Sequence, residues 1–404
     1  MTRCLYEWER DGDLINPWIL AHRGGTAVIN GMSVLHHDRV YIWLAEQFVA
    51  FGLPLALLLT GSGARLCHAC ERIARGRWFW TAVLFASVYV LLSILLTLPI
   101  DFLASQRLPA WGLPAQGVGH WGVEEAGDAL RLILIGAVLG WIPFWITRWS
   151  RRHWWAWTGG VAALGIATLL LIRPIWIDQL SAPYTVLEDP TWQQRIDRLG
   201  QRVGFNHVHV LIQHLPSDAG CDTATVEGIG PTRRLILSEG IFSHSPERDV
   251  TAIVAHELKH YWLDATWKPL VVLAGFIVAA MLTIPLMCAA ALRRWSERFG
   301  FSSLTDPASL PLLVLNLRLF LLVAVPVFNL LSQHIEHEAD RFALELTRDN
   351  EAVAHEVAAC SPHIKEQNWF DRLYFDNHLS PEKRAQFALS YRPWEQGKPL
   401  VYGR

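Results

Sequence analysis

"HELKH" fills positions 256–260 and "HIEHEAD" fills 334–340. The residues between them include enough apolar chain to cross a bilayer and return, and the fold turns on whether the two stretches meet. On an α-helix, residues four apart share a face, about 6 Å from one another. His256 and His260 can therefore aim both imidazoles at one Zn²⁺ ion, which takes nitrogen ligands at about 2.0–2.1 Å. Glu257, directly after the first histidine, stands where this motif places a general base for the attacking water. A hydrolytic zinc site keeps three protein ligands and one open position, so the third ligand must come from elsewhere. "SQHIEHEADRFALELT" (332–347) offers Glu336, with Asp340 four residues later on the same face, and also His334, His337 and Glu338. Spacing alone does not choose among them. The alternative reading is a charged amphipathic helix whose Phe342, Leu344 and Leu346 pack inward, facing two solvent-exposed histidines.

The residues before HELKH favour a helix in a small α+β domain. In "SPERDVTAIVAHELKHYWLDATW", Ser245 suits an N-cap, Pro246 the first helical position, and Glu247 the helix dipole. Val250, Ile253, Val254 and Leu258 form the inward stripe. Upstream, "DPTWQQRIDRLGQRVGF" carries Trp192, Ile196, Leu199 and Val203 at helical spacing, with Gly204 as a stop. "HVHVLI" (207–212) and "RRLILS" (233–238) read as strands, and "GIGP" (228–231) as the turn before the second.

Composition points to a membrane. Of 404 residues, 52% are hydrophobic and only 18% charged, against about 25% charged in soluble domains. Mean hydropathy is +0.22. The formal net charge of −2 gives no footprint for nucleic acid. Cys4, Cys67, Cys70, Cys221, Cys288 and Cys360 are too scattered for a disulfide framework, and the lone CxxC at 67–70 reads as structural. The first 40 residues are polar and of mixed charge, unlike a short signal peptide. Apolar stretches of roughly 20 residues, the length of a span, lie near 42–60, 78–100, 131–147, 155–177, 269–291 and 309–331. The organisation expected is an N-terminal extramembrane segment (1–41), four spans (42–177), and a zinc peptidase domain (178–404) interrupted by a transmembrane hairpin at 269–331. Two spans separate 178–267 from 332–404, so both polar pieces face the same side. Arg318, in the middle of the sixth span, reads equally as facing a water-filled chamber, which avoids the cost of a lipid-facing charge, or as snorkelling from a span whose boundary lies elsewhere.

"AHELKHY", "IEHEADRFA" and "DNHLSPEKRAQFA" (376–388) together resemble the integral-membrane zinc metalloproteases of the CAAX prenyl protease type. The likeness extends over about 78–390. It implies His256, His260 and Glu336 as ligands of one Zn²⁺ per chain, Glu257 as general base, and Asp340 as the acid behind a ligand imidazole. It also implies His378 and Arg384 at the scissile carbonyl. "TATVEGIGPTRRLILSEGIF" (223–242) is similar to the strand with which that family pairs extended substrate. Peptide is thus expected to add beside Thr223, Ala224, Thr225, Val226, Glu227 and Gly228. Thr223 stands where the family commonly has Asn, and Gln333 where it commonly has Arg. The fold implied is an α-helical multi-pass membrane protein of about six transmembrane helices with a compact α+β, HExxH-type zinc metalloprotease domain.

The activity expected is zinc-dependent endopeptidase cleavage of membrane-associated or lipidated peptides and proteins. Two readings compete: a quality-control protease of the HtpX type, whose members usually have two spans, and a non-enzymatic metal-binding scaffold or transporter. Loops rich in Arg stay cytoplasmic. Arg65, Arg72, Arg75 and Arg77, then Arg148, Arg151 and Arg152, then Arg293, Arg294 and Arg298 fall in the three loops opposite the zinc domain. The charge rule therefore places that domain outside the cytoplasm, in a multi-pass protein of a bacterial cell membrane.

Overall fold

The computed structural model describes residues 17–111, 115–172, 184–214, 224–228, 232–261, 263–359 and 368–402, with backbone alone at 17–37, 169–172, 263–270 and 359. From Asn30 onward they fall into two units, Asn30–Leu164 with Ala274–Ala324, and Gly165–Leu273 with Val325–Arg404.

The first unit is helical, as its apolar runs require. It contains α1 (Pro17–Leu59) from Asn30 onward, α2 (Ser62–Ile73), α3 (Trp78–Arg107), α4 (Val118–Leu139), α5 (Ile142–Trp149) and α6 (Trp154–Ile172) as far as Leu164. Parts of α10 (Leu263–Phe299) and α11 (Leu310–Thr347) complete it. Five stretches of the described residues are long and apolar enough to span: Asp38–Leu59, Trp78–Ala110, Val118–Trp149, Val271–Phe299 and Pro307–Thr347. Helix α6 covers the fourth expected span as far as Ile172, and 173–177 lie outside the described residues. The third expected span starts too late in the sequence reading. Glu124, Glu125 and Asp128 suggest a polar loop, yet α4 is helical from Val118. Packing on α3, with the Phe102 and Trp121 rings 5.0 Å apart, supports residues whose own helix propensity is poor. Cys67, Cys70 and Cys288 are buried and unbridged among Leu58, Phe85 and Leu312. Burial pushes the Cys67 thiol up to about 12, so the CxxC pair behaves as core.

The second unit holds a four-stranded sheet in the order β1 (Tyr184–Val186), β2 (Val210–Gln213), β4 (Arg234–Ser238), β3 (Ala224–Glu227). Strands β2 and β4 are parallel, whereas β1 and β3 pair antiparallel to their neighbours. Asp189 caps α7 (Pro190–Arg202), accepting from the amides of Thr191 at 2.7 Å and Trp192 at 3.3 Å. Gly204, at φ +97°, ends the turn that follows. Strand β2 begins three residues later than the pattern at 207–212 suggests. The Asp197 carboxylate accepts from the Val208 amide at 2.9 Å and the Gln193 Nε2 donates to the Val208 carbonyl at 3.0 Å, so side chains rather than a strand satisfy that backbone.

The short helix α8 (Ile241–His244) leads into α9 (Glu247–Tyr261). Helix α9 opens one residue later than the Ser245 cap predicts, because the Pro246 carbonyl takes the Asp249 and Val250 amides while Ser245 stays extended. Its Val250, Val254 and Leu258 join Ile196, Val208, Leu235, Leu237, Phe342 and Leu344 in one buried core. Helices α12 (Asn350–Ala359), α13 (Trp369–Tyr374) and α14 (Pro381–Ser390) follow α11. Helix α9 packs against both β3 and α12, and α12 packs against α14. This packing brings the sequence motifs together.

Candidate metal centre

His256, Glu257 and His260 come from α9, while Glu336 and Asp340 come from the C-terminal part of α11. Helical spacing puts the two imidazoles on one face, their rings 5.2 Å apart and their Nε2 atoms 3.4 Å apart. Glu336 closes the triangle, with Oε2 3.2 Å from His256 Nε2 and Oε1 3.6 Å from His260 Nε2. Donor atoms about 2.0–2.1 Å from one tetrahedral centre lie about 3.3–3.4 Å from each other, so the three side chains have the separations that a bound zinc would require. Among the described residues this is the one group of three or more His, Cys, Asp or Glu that can hold a metal ion.

Asp340 stands behind His256. The imidazole Nδ1–H donates to Asp340 Oδ1 at 3.1 Å, which fixes the tautomer and turns the Nε2 lone pair toward His260 and Glu336. Asp340 is 1% exposed and His256 is 8% exposed. The guanidinium of Arg384, in the first turn of α14, grips Asp340 with both arms, Nε to Oδ2 at 2.8 Å and Nη2 to Oδ1 at 2.7 Å. The sequence reading set Arg384 at the carbonyl beside His378. In the structure it pairs with Asp340, because Ser380 starts α14 so that residue 384 faces α11.

His378 reaches the same site from the loop before α14. Its Nε2 lies 3.4 Å from Glu336 Oε2, and its Nδ1 lies 2.7 Å from Asn377 Oδ1. The competing candidates on α11 face elsewhere. His334 is exposed, His337 stacks on Phe387 with centroids 4.2 Å apart, and Glu338 pairs with Arg341 at 2.6 Å. Burial pushes the Glu257 carboxyl up, against the pull of His256 and His260. The sequence reading missed Glu356 on α12. Its charge reaches His256, Arg384, Asp340 and Glu257, and burial pushes its carboxyl up as well. No motif marks it, since it arrives through the packing of α12 on α9.

Beside this cluster, β3 is one of the two edge strands among the described residues, and it lies against α9. It carries Ala224, Thr225, Val226 and Glu227, and Thr223 falls outside the described residues. Glu227 is held by Arg234 at 3.0 Å across the β3–β4 pair. Gly228 ends the strand at φ +85°, where a Cβ would run into the Thr232 carbonyl, so the glycine serves the turn.

Known proteins share this plan. The model of peptidase family M48 matches residues 187–392, and that of the CAAX prenyl protease N-terminal region with five membrane helices matches 29–180. The Bacillus subtilis (strain 168) protein "Uncharacterized metalloprotease YhfN" is 24% identical over 358 residues, covering 85% of this chain and 83% of that protein. A CAAX prenyl protease 1 homolog of Dictyostelium discoideum is 23% identical over 228 residues, covering 54% of this chain and 52% of that protein. The crystal structure of S. mikatae Ste24p superposes with a TM-score of 0.71 at 15% identity, over 90% of this chain and 89% of that one. The fold is therefore the multi-pass helical and α+β arrangement expected from the sequence. The chain belongs to peptidase family M48 and is a membrane metalloprotease.

Proposed function

We propose that the chain is a zinc-dependent endopeptidase that hydrolyses peptide bonds of membrane-associated or lipidated peptides and proteins, with one Zn²⁺ per chain held by His256, His260 and Glu336. The observation that carries this reading is the triangle of donor atoms at 3.2–3.6 Å backed by Asp340. Bound there, zinc supplies Lewis acidity toward a carbonyl or a water. Glu257 takes the proton from the attacking water and returns it to the leaving amine. His378, half-exposed at the mouth of the cluster, donates to the oxygen on which charge develops, a contact worth ~3 kcal/mol. Arg384 acts through Asp340, which it keeps ionised and oriented. Substrate adds as a strand beside residues 223–228, its backbone pairing along the edge of β3. The names of the CAAX prenyl protease homologs point to lipidated substrates. An unfolded membrane protein uses the same backbone pairing.

A second reading has one observation behind it. His378 Nε2 is as far from Glu336 Oε2 as the ligand nitrogens are from each other, so a shift toward His256 and His260, whose donor atoms it does not yet join, would complete a closed, non-catalytic set. Zinc analysis of purified His378→Ala separates the two. An unchanged zinc content with cleavage of fluorescent casein slowed about 100-fold or more supports the oxyanion role. Loss of zinc would assign His378 to the ligands.

The charge bias of the arginine-rich loops leads us to place the zinc domain on the extracytoplasmic face of a bacterial cell membrane. A C-terminal alkaline phosphatase fusion is expected to be active and a green fluorescent protein fusion dark. The opposite pair of results would put the site in the cytoplasm.

A further inference from the structure

Asn329, Gln333, Glu336 and Asp340 follow one another on α11 at spacings of four, three and four, so they form one polar stripe on one face of the helix. The last two belong to the metal centre. The first two are buried, at 8% and 2% exposure, and their amide groups all go to one short segment. Asn329 Nδ2 donates to the Leu373 carbonyl at 2.9 Å. Gln333 Nε2 donates to the carbonyls of Arg372 and Asp376, both at 2.8 Å, and Gln333 Oε1 accepts from Arg372 Nε at 2.9 Å.

These bonds satisfy acceptors that α13 cannot satisfy itself. Helix α13 is six residues long and is capped at its start by Asn368. At its end, the amides of Phe375 and Asp376 both return to the Asp371 carbonyl. That leaves the carbonyls of Arg372 and Leu373 to partners outside the helix, and Gln333 and Asn329 are those partners. Two residues beyond Asp376 comes His378. Its side chain is 48% exposed, so side-chain packing does little to place it. Beyond its contacts with Asn377 and Glu336, its position depends on the backbone on either side, and the far side is already fixed by the Ser380 cap and the Arg384–Asp340 pair.

We propose that Gln333, assisted by Asn329, is a positioning residue that fixes the 372–378 segment and so holds His378 beside the metal centre. This assignment rests on the role given to His378 above. A displacement of about 1 Å in a reacting group can cost on the order of 100-fold in rate, whereas the ligands on α9 and α11 need nothing from this segment.

The test combines amide hydrogen exchange, zinc content and casein cleavage on the full-length protein. In Gln333→Leu, exchange across 372–378 is expected to rise while α9 and α11 stay protected and zinc is retained. Cleavage falls about 10–100-fold in kcat with little change in KM. Gln333→Arg sets two guanidinium groups face to face and gives the same defect, and Gln333→Arg with Arg372→Gln restores activity. Asn329→Ala gives a weaker version of each change and serves if the leucine variant does not fold. In a His378→Ala background, Gln333→Leu is expected to slow the enzyme no further, because the two residues act as a unit. Full additivity in that background, or unchanged exchange and activity in the single variants, overturns the proposal. A His378→Ala enzyme with wild-type activity would refute the role of His378 itself, which is a separate result.

Discussion

Glu257→Gln is expected to abolish cleavage while leaving both zinc and fold in place. The amide has nearly the shape of the carboxylate but cannot take a proton from water, and general-base catalysis is worth about 10²–10⁴-fold. Metal should stay, because the donor triangle is made by His256, His260 and Glu336 without Glu257. The fold should not suffer either. Burial pushes the Glu257 carboxyl up against the pull of His256 and His260, with Glu336 and Glu356 adding repulsion. A neutral amide carries less desolvation cost than a buried carboxylate, so thermal stability should match or exceed that of the parent, as often happens when an active-site strain is removed. Zinc analysis, thermal unfolding and casein cleavage on one preparation test all three statements. A variant that still cleaves sinks the assignment of the base, and one that loses zinc sinks the donor set.

How far the sequence reached is clearest on α9 and α11. HELKH was legible as one face of a helix because the four-residue spacing is a local property. Choosing Glu336 over His334, His337 and Glu338 was not, because the orientation of α11 is a tertiary fact. It is fixed by the packing of His337 against Phe387, by the burial of Phe342 and Leu344 in the core shared with α9, and by the hydrogen bond that Tyr402 donates to Glu338. Resemblance to a family supplied what spacing lacked. The same limit explains the late start of β2, where Asp197 and Gln193 intercept a backbone that alternates like a strand. It also explains the early start of α4, whose acidic first half is helical through contact with α3. Gln333 could be seen only as a departure from the family pattern. Its function is visible once the carbonyls it caps lie beside it.

Asp340 carries two jobs that mutation should pull apart. It holds His256 in its metal-binding tautomer, and it neutralises Arg384, with one carboxylate serving both. Asp340→Ala leaves a nearly buried guanidinium without its partner, which costs about 3–5 kcal/mol of stability when a buried pair is broken from one side. It also removes the acceptor behind a ligand imidazole, which lowers metal affinity about 10–100-fold. The two losses have different remedies. In Asp340→Leu with Arg384→Met, no buried charge is left unpaired, and apolar replacement of such pairs is often neutral or stabilising. The double variant is therefore expected to regain most of the thermal stability lost in Asp340→Ala while keeping the defect in zinc affinity, read by competition with a chelating dye. Arg384→Met alone should show the reverse balance, with stability lowered by the stranded carboxylate and zinc affinity reduced less, because Asp340 still accepts from His256. If the double variant recovers zinc affinity together with stability, the Asp340–His256 hydrogen bond does not tune the metal site, and the geometry around Asp340 is only a matter of folding.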